Sequence, residues 1–158
     1  MREILYRAIS LCKGEHWLYG QPRHYARNPH TEKWTIYDPK TGIETDIVPE
    51  TLGEYSEISD KESKPIFEGD IIKVESLLPE TFGKECICIV IYEDGCLCLQ
   101  RIDKPHIKQP LRMVELVHNI EIIGNIHDNP ELQNGAINDT SPYLSTPSTL
   151  SHLNTTQQ

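Results

Sequence analysis

Four cysteines in one short stretch carry the most chemistry by type and spacing. Cys86-Ile-Cys88 and Cys96-Leu-Cys98 are each spaced i, i+2, so on a strand each pair shares a face. The turn between them decides whether the pairs meet. With Asp94-Gly95 as a two-residue turn, Ile91 faces Cys98 and the pairs lie on opposite faces of the ribbon. With Glu93-Asp94-Gly95 as a three-residue loop and a glycine bulge, Val90 faces Cys98 and all four thiols share one face. The second register could assemble thiolates for zinc from Cys86, Cys88, Cys96 and Cys98. Structural zinc sites use Cys-x2-4-Cys knuckles, however, and this spacing is off that pattern. Cysteine is also a common small core residue, so core packing is the expected role and a metal site the alternative.

The second constellation is basic and aromatic. Residues 1–40 hold seven Lys/Arg against four Asp/Glu, net +3, and the remainder is net −12. Six of the eleven aromatic residues fall in the same 40: Tyr6, Trp17, Tyr19, Tyr25, Trp34 and Tyr37. Trp17 and Trp34 with Arg23 and Arg27 supply what stacking on bases and contact with phosphate would need. A half-exposed antiparallel sheet has the same residues, and that is the reading preferred here.

Between Glu44 and Glu62 seven acids stand against one base, Lys61. Such a run is either a solvated face or a contact for a basic partner. The seven histidines are scattered without a metal-binding pattern, no Gly-x-Ser-x-Gly nucleophile is present, and no glycine-rich phosphate loop occurs. Neither a catalytic residue nor a cofactor is therefore expected.

The elements that would position these groups are strands. Glu3 to Ser10, His16 to Gly20, Lys33 to Tyr37 and Ile43 to Val48 read as short antiparallel strands. Gln21 to His30, with two prolines, reads as a loop. Glu54 to Ser56, Ile66-Phe67 and Ile71 to Val74 follow, the last after a tight Glu68-Gly69-Asp70 turn. Cys86 to Glu93 and Cys96 to Ile102 flank Asp94-Gly95, the strongest hairpin signal in the chain. Asp103 to Pro110 reads as a loop, Met113 to Val117 and Ile120 to Ile126 as final strands, and Asp128-Asn129-Pro130 as the start of a helical turn. No segment sustains a helical period, and turn signals recur every 8 to 12 residues, as in an all-β barrel or sandwich.

The chain has 158 residues, 37% hydrophobic and 25% charged, with net charge −9. Mean hydropathy is −0.47 and the pI about 5.2. One domain is the prior for that length. The overall charge opposes nonspecific binding to nucleic acid or anionic membrane. The longest apolar run, Cys86 to Tyr92, is far short of the about 20 residues that span a bilayer. No secretory signal is read at the N-terminus, and five cysteines without a disulfide framework fit a reducing cytoplasm. From Asn134 to Gln158 there is no Lys or Arg and a single acid, Asp139, so 134–158 is expected as a disordered polar tail behind a β domain of residues 1–133.

An ordered set of motifs resembles a known family. Arg2-Glu3-Ile4-Leu5-Tyr6-Arg7, Trp17-Leu18-Tyr19-Gly20, Pro49-Glu50-Thr51-Leu52-Gly53-Glu54-Tyr55, Asp60-Lys61, Ile66-Phe67-Glu68-Gly69-Asp70-Ile71-Ile72, Asp94-Gly95, Ile122-Ile123-Gly124-Asn125-Ile126 and Asn129-Pro130-Glu131-Leu132 follow one another as in the YopX protein family of phages and prophages. The resemblance implies an all-β fold with an SH3-like barrel plus an additional N-terminal β region, and a gene carried by a phage or integrated element. It implies no catalytic residue. The chain departs from the family at Glu57, where the family has Gly, and at Glu62-Ser63, where it has an Asn-Gly-type turn. The expected function is an accessory protein of the bacterial cytoplasm that acts by binding or self-association. Homo-oligomerisation is motivated by sheet edges and the apolar Met113 to Ile126 region; a host or phage protein and nucleic acid are the other partners considered, and no membrane.

Overall fold

A computed structural model describes residues 5–12, 16–26, 32–76, 79, 82–113 and 119–134. The chain is mostly β, as its turn spacing predicts. Among the described residues eleven strands form two antiparallel sheets: β1 (Tyr6–Ile9), β2 (Trp17–Ala26), β3 (Glu32–Tyr37), β4 (Glu44–Asp46), β5 (Gly53–Ser59), β6 (Pro65–Phe67), β7 (Asp70–Glu75), β8 (Glu85–Glu93), β9 (Cys96–Arg101), β10 (Lys108–Pro110) and β11 (Glu121–Asn125). The N-terminal sheet has the order β4-β3-β2-β1-β5-β6 and the second β10-β9-β8-β7-β11. Three-residue 3-10 turns stand at Pro49–Thr51 and Leu111–Met113, and the expected C-terminal helical turn is the 3-10 segment Pro130–Asn134.

Neither sheet closes on itself into a barrel. The chain instead passes from one sheet to the other at Glu68-Gly69-Asp70. Gly69 takes φ 85°, a conformation open to glycine. Its N–H donates to Val90 O at 2.8 Å, and its carbonyl accepts from Ile126 N at 2.9 Å. Glu68 N donates to Glu54 O at 2.9 Å, so the corner is tied to both sheets.

Each sheet has its own core. Ile58, Ile66, Ile72, Val74, Cys88, Val90 and Leu99 head the larger cluster, and Ala8, Ile36 and Ile47 the smaller, with Leu18 and Trp34 packed against it. Ile58 and Ile66 belong to β5 and β6, so strands of the first sheet complete the core of the second. The N-terminal sheet curls until Ser10, after β1, bridges Ile47, after β4.

Two segments expected as loops are strands. β2 continues through Pro22 to Ala26 and pairs Gln21 to Ala26 with β3. Pro22 is tolerated because the β1 ladder has already ended at Tyr6↔Gly20, so its missing N–H faces no paired strand among the described residues. Lys108–Pro110, within the expected loop at 103–110, pairs with β9 as a short edge strand. The strand expected at Met113 to Val117 begins inside a 3-10 turn, and residues 114–117 lie outside the described residues. So do residues 1–4, which include the first two of the first expected strand, and 135–158 of the expected tail.

Candidate functional site

The cysteine register is set by the β8–β9 turn. Asp94 and Gly95 take φ 50° and 81°, as a two-residue primed turn requires, and Glu93 pairs with Cys96 and Ile91 with Cys98. Cys86 and Cys88 therefore point into the larger core with Val90, while Cys96 and Cys98 lie on the opposite face. The structure does not bring the four together. All are free thiols, and the described residues hold no cluster of three or more metal-ligating side chains. Within each pair the sulfurs are close, 3.9 Å for Cys86–Cys88 and 3.6 Å for Cys96–Cys98. The hydrogen bond with Cys88 holds the Cys86 thiol down, to about 7, and the Arg101 guanidinium adds to this. Cys88 moves up in response, both because of its bond to Cys86 and because it is buried.

The basic aromatic residues are also dispersed. Arg23, Tyr25, Lys33, Tyr37, Glu44 and Asp46 share one face of the β2–β3–β4 ribbon by register. Every charge whose contacts are resolved there has an opposite partner: Arg23 Nη1 donates to Glu44 Oε2 at 2.9 Å, and Lys33 Nζ lies 2.7 Å from Asp46 Oδ1. The Arg23 guanidinium also lies over the Tyr37 ring, 4.0 Å from its centroid. The Thr35 hydroxyl donates to Glu44 Oε1 at 2.5 Å and, with Tyr25 and Arg23, holds Glu44 below its ordinary range. Trp34 is on the other face, half-buried against the smaller core, with the His24 ring stacked on it at 4.3 Å. Trp17, six residues before Arg23 and so about 20 Å along the strand, belongs to a different cluster. Arg27 lies outside the described residues.

That other cluster went unread in the sequence. Arg7 of β1 is buried and forms an ion pair with Asp70 at the start of β7, whose side chain is 1% exposed. Asp70 Oδ1 accepts from Arg7 Nη2 and from Asn125 Nδ2 at 3.3 Å, and Oδ2 accepts from Phe67 N at 2.8 Å. The guanidinium lies between Trp17 and Phe67, 4.5 and 4.8 Å from their ring centroids. Its Nε has no hydrogen-bond partner, and the ring faces supply its electrostatic contact. Trp17 Nε1 donates in turn to Asp128 Oδ2 at 2.8 Å, and His16 Nε2 is 2.6 Å from Asp128 Oδ1. With both oxygens occupied, Asp70 is a fastening between sheets and not a free acid or base. The available signal was a charge inside the apolar alternation Tyr6-Arg7-Ala8-Ile9.

The acidic run is distributed rather than concentrated. Asp60 is buried: Oδ1 accepts from Glu62 N and Lys64 N at 2.8 and 2.9 Å, closing the β5–β6 turn. Glu62 pairs with Lys64, and Glu44 and Asp46 with the cations above. A groove of about 570 Å³ runs beside the β1–β2 ladder, lined by Leu18, Tyr19, Ile36 and Ile43 among others. Tyr19 and Ile43 are among its exposed apolar residues.

The family model described as YopX protein matches residues 5–134, most of the chain, and the chain belongs to that family. No curated protein matches it significantly.

Proposed function

We propose that this YopX-family chain is a phage- or prophage-derived accessory protein that works in the bacterial cytoplasm by binding or self-association, without catalysis. The observation that carries this reading is the pairing, within the fold, of the cations of the N-terminal sheet with carboxylates. Arg7–Asp70, Arg23–Glu44 and Lys33–Asp46 are paired within the fold, and Asp60 closes a backbone turn. A phosphate backbone would have to displace Glu44 and Asp46, which removes the counterion gain that drives such binding. The groove beside exposed Tyr19 and Ile43 offers a mainly apolar surface instead, with one carboxylate, Asp38, and one ammonium, Lys40, in its lining, and the occupant we assign to it is a second copy of the chain.

The same reading takes the second sheet as an opened SH3-like barrel. Ile58 and Ile66 cover its core from the β5–β6 hairpin, and Lys61 N, in the turn between those strands, donates to Ile120 O just before β11 at 2.9 Å.

Light scattering coupled to gel filtration is the direct test. A dimer at micromolar concentration that reverts to monomer in Tyr19→Asp and Ile43→Asp is expected; monomer alone across that range would sink the reading. Gel shifts at low salt with single- and double-stranded DNA and RNA are expected to show no retardation. A shift abolished by Arg23→Ala would restore the nucleic-acid reading.

A further inference from the structure

The two-residue turn that separates the cysteine pairs leaves one of them on the outer face. Cys96 is partly exposed and Cys98 is buried beneath its neighbours, with their sulfurs 3.6 Å apart. Glu93 lies across from Cys96 on one side, and Lys108 across from Gln100 on the other. Lys108 Nζ and Glu93 Oε1 form an ion pair, and the line between those positions passes over Cys98. The pair is thus a dithiol with one partly open sulfur and one beneath an ionic strap.

A disulfide is a poor outcome for this geometry. Residues i and i+2 of a strand stand about 6.6–6.8 Å apart at Cα, the stretched limit of the range that a disulfide spans. A bond of about 2.0 Å between the sulfurs would need β9 to buckle while it is paired on both sides. A bridging atom fits the spacing better. Two sulfurs complete the coordination of a soft ion of low coordination number, and thiolate is the ligand such ions select. A tetrahedral zinc site needs four ligands, and the opposite-facing pair rules out the four-cysteine set.

We propose that Cys96 and Cys98 form a two-sulfur chelate for a soft monovalent cation of the copper(I) class. Each sulfur exchanges its proton for a bond to the ion, two protons pass to solvent, and no electron is transferred. Burial first, then the bond to Cys96, pushes the Cys98 thiol up to about 11. Cys86 and Cys88 have comparable sulfur spacing but lie in the core, away from an approaching ion.

The test is a competition titration of the reduced full chain, in a Cys12→Ser background, with copper(I) held by bicinchoninate. Silver(I) serves as a second probe that undergoes no redox change. One equivalent is expected, with a thiolate-to-metal ultraviolet band. Cys96→Ser and Cys98→Ser should each weaken binding at least hundredfold, and Cys86→Val should leave it unchanged. Because binding releases protons, affinity should rise with pH. X-ray absorption of the loaded protein should show a sulfur-only, two-coordinate shell, a readout that needs no variant to fold. Undiminished binding by Cys96→Ser or Cys98→Ser, or a shell containing nitrogen or oxygen, would overturn the proposal.

Discussion

Arg7 and Asp70 are 63 positions apart in the chain, yet they form a buried ion pair at the junction of the two sheets. Removing one partner strands the other's charge away from water, which costs about 3–5 kcal/mol for buried pairs. Arg7→Met and Asp70→Leu should each lower unfolding stability by that order in urea. The double replacement should recover only part of the loss, because Phe67 N and Asn125 Nδ2 also bond to Asp70. A loss under about 1 kcal/mol for Arg7→Met would mean that the pair does not fasten the sheets.

Glu57 and Ser63 take φ 65° and 64°, the left-handed region. These are the positions where the chain departs from the family's Gly and Asn-Gly-type turn. An L-residue there bears about 1–2 kcal/mol of strain, offset by about 0.5–1 kcal/mol of extra backbone entropy lost when glycine is ordered. Ser63→Gly is therefore expected to stabilise by up to about 1 kcal/mol, seen as a melting temperature raised by a few degrees, whereas Ser63→Ala should not. An unchanged melting temperature for the glycine variant would show that the bonds from Glu62 N and Lys64 N to Asp60 Oδ1 already carry the turn.

What could be read from the sequence follows the range of each interaction. Asp94-Gly95 between apolar runs specifies the β8–β9 hairpin locally, and its turn length chooses between the two cysteine registers left open by spacing alone. Pro22, Pro105 just before β10 and Pro110 within it misled because proline argues against a strand unless the N–H it lacks would face outward, and that depends on where a neighbouring ladder ends. The Arg7–Asp70 pair had no local signature beyond a misplaced charge, since its geometry depends on the turn at Gly69 between the sheets. The basic aromatic segment was read as one cluster because composition does not record which face each side chain takes. Strand alternation puts Arg23 on one face and Trp34 on the other.

Asp128 links acidity to the Arg7 cluster. Burial alone would raise its carboxyl, but the bonds from Trp17 and His16 outweigh this and hold it below its ordinary 3.8. A depressed folded value means a stability contribution present above pH 3.8 and lost as pH falls through the folded value. Trp17 fluorescence, in a Trp34→Phe background, should report a midpoint below 3.8. Trp17→Phe removes the indole donor, so the Asp128 carboxyl, followed by NMR, should titrate at higher pH. A wild-type midpoint at or above the ordinary value would count against the indole bond.

Gly20 marks the point where β2 exchanges β1 for β3 as its neighbour. A Cβ there would come within 2.1 Å of Tyr37 O and 2.7 Å of Tyr37 C, both backbone atoms that cannot turn aside. Relief requires β2 and β3 to part where Gln21 pairs with Tyr37, which also moves the ring beneath the Arg23 guanidinium. Gly20→Ala should therefore cost at least the about 1–3 kcal/mol of an overpacked core, and near-ultraviolet circular dichroism should change with it. Gln21→Ala, one residue on and exposed, should be close to neutral in the same urea titration. Equal stabilities for the two variants would mean that the β2–β3 crossing yields without strain, and the close approach at Gly20 would then not be what fixes the curl of the N-terminal sheet.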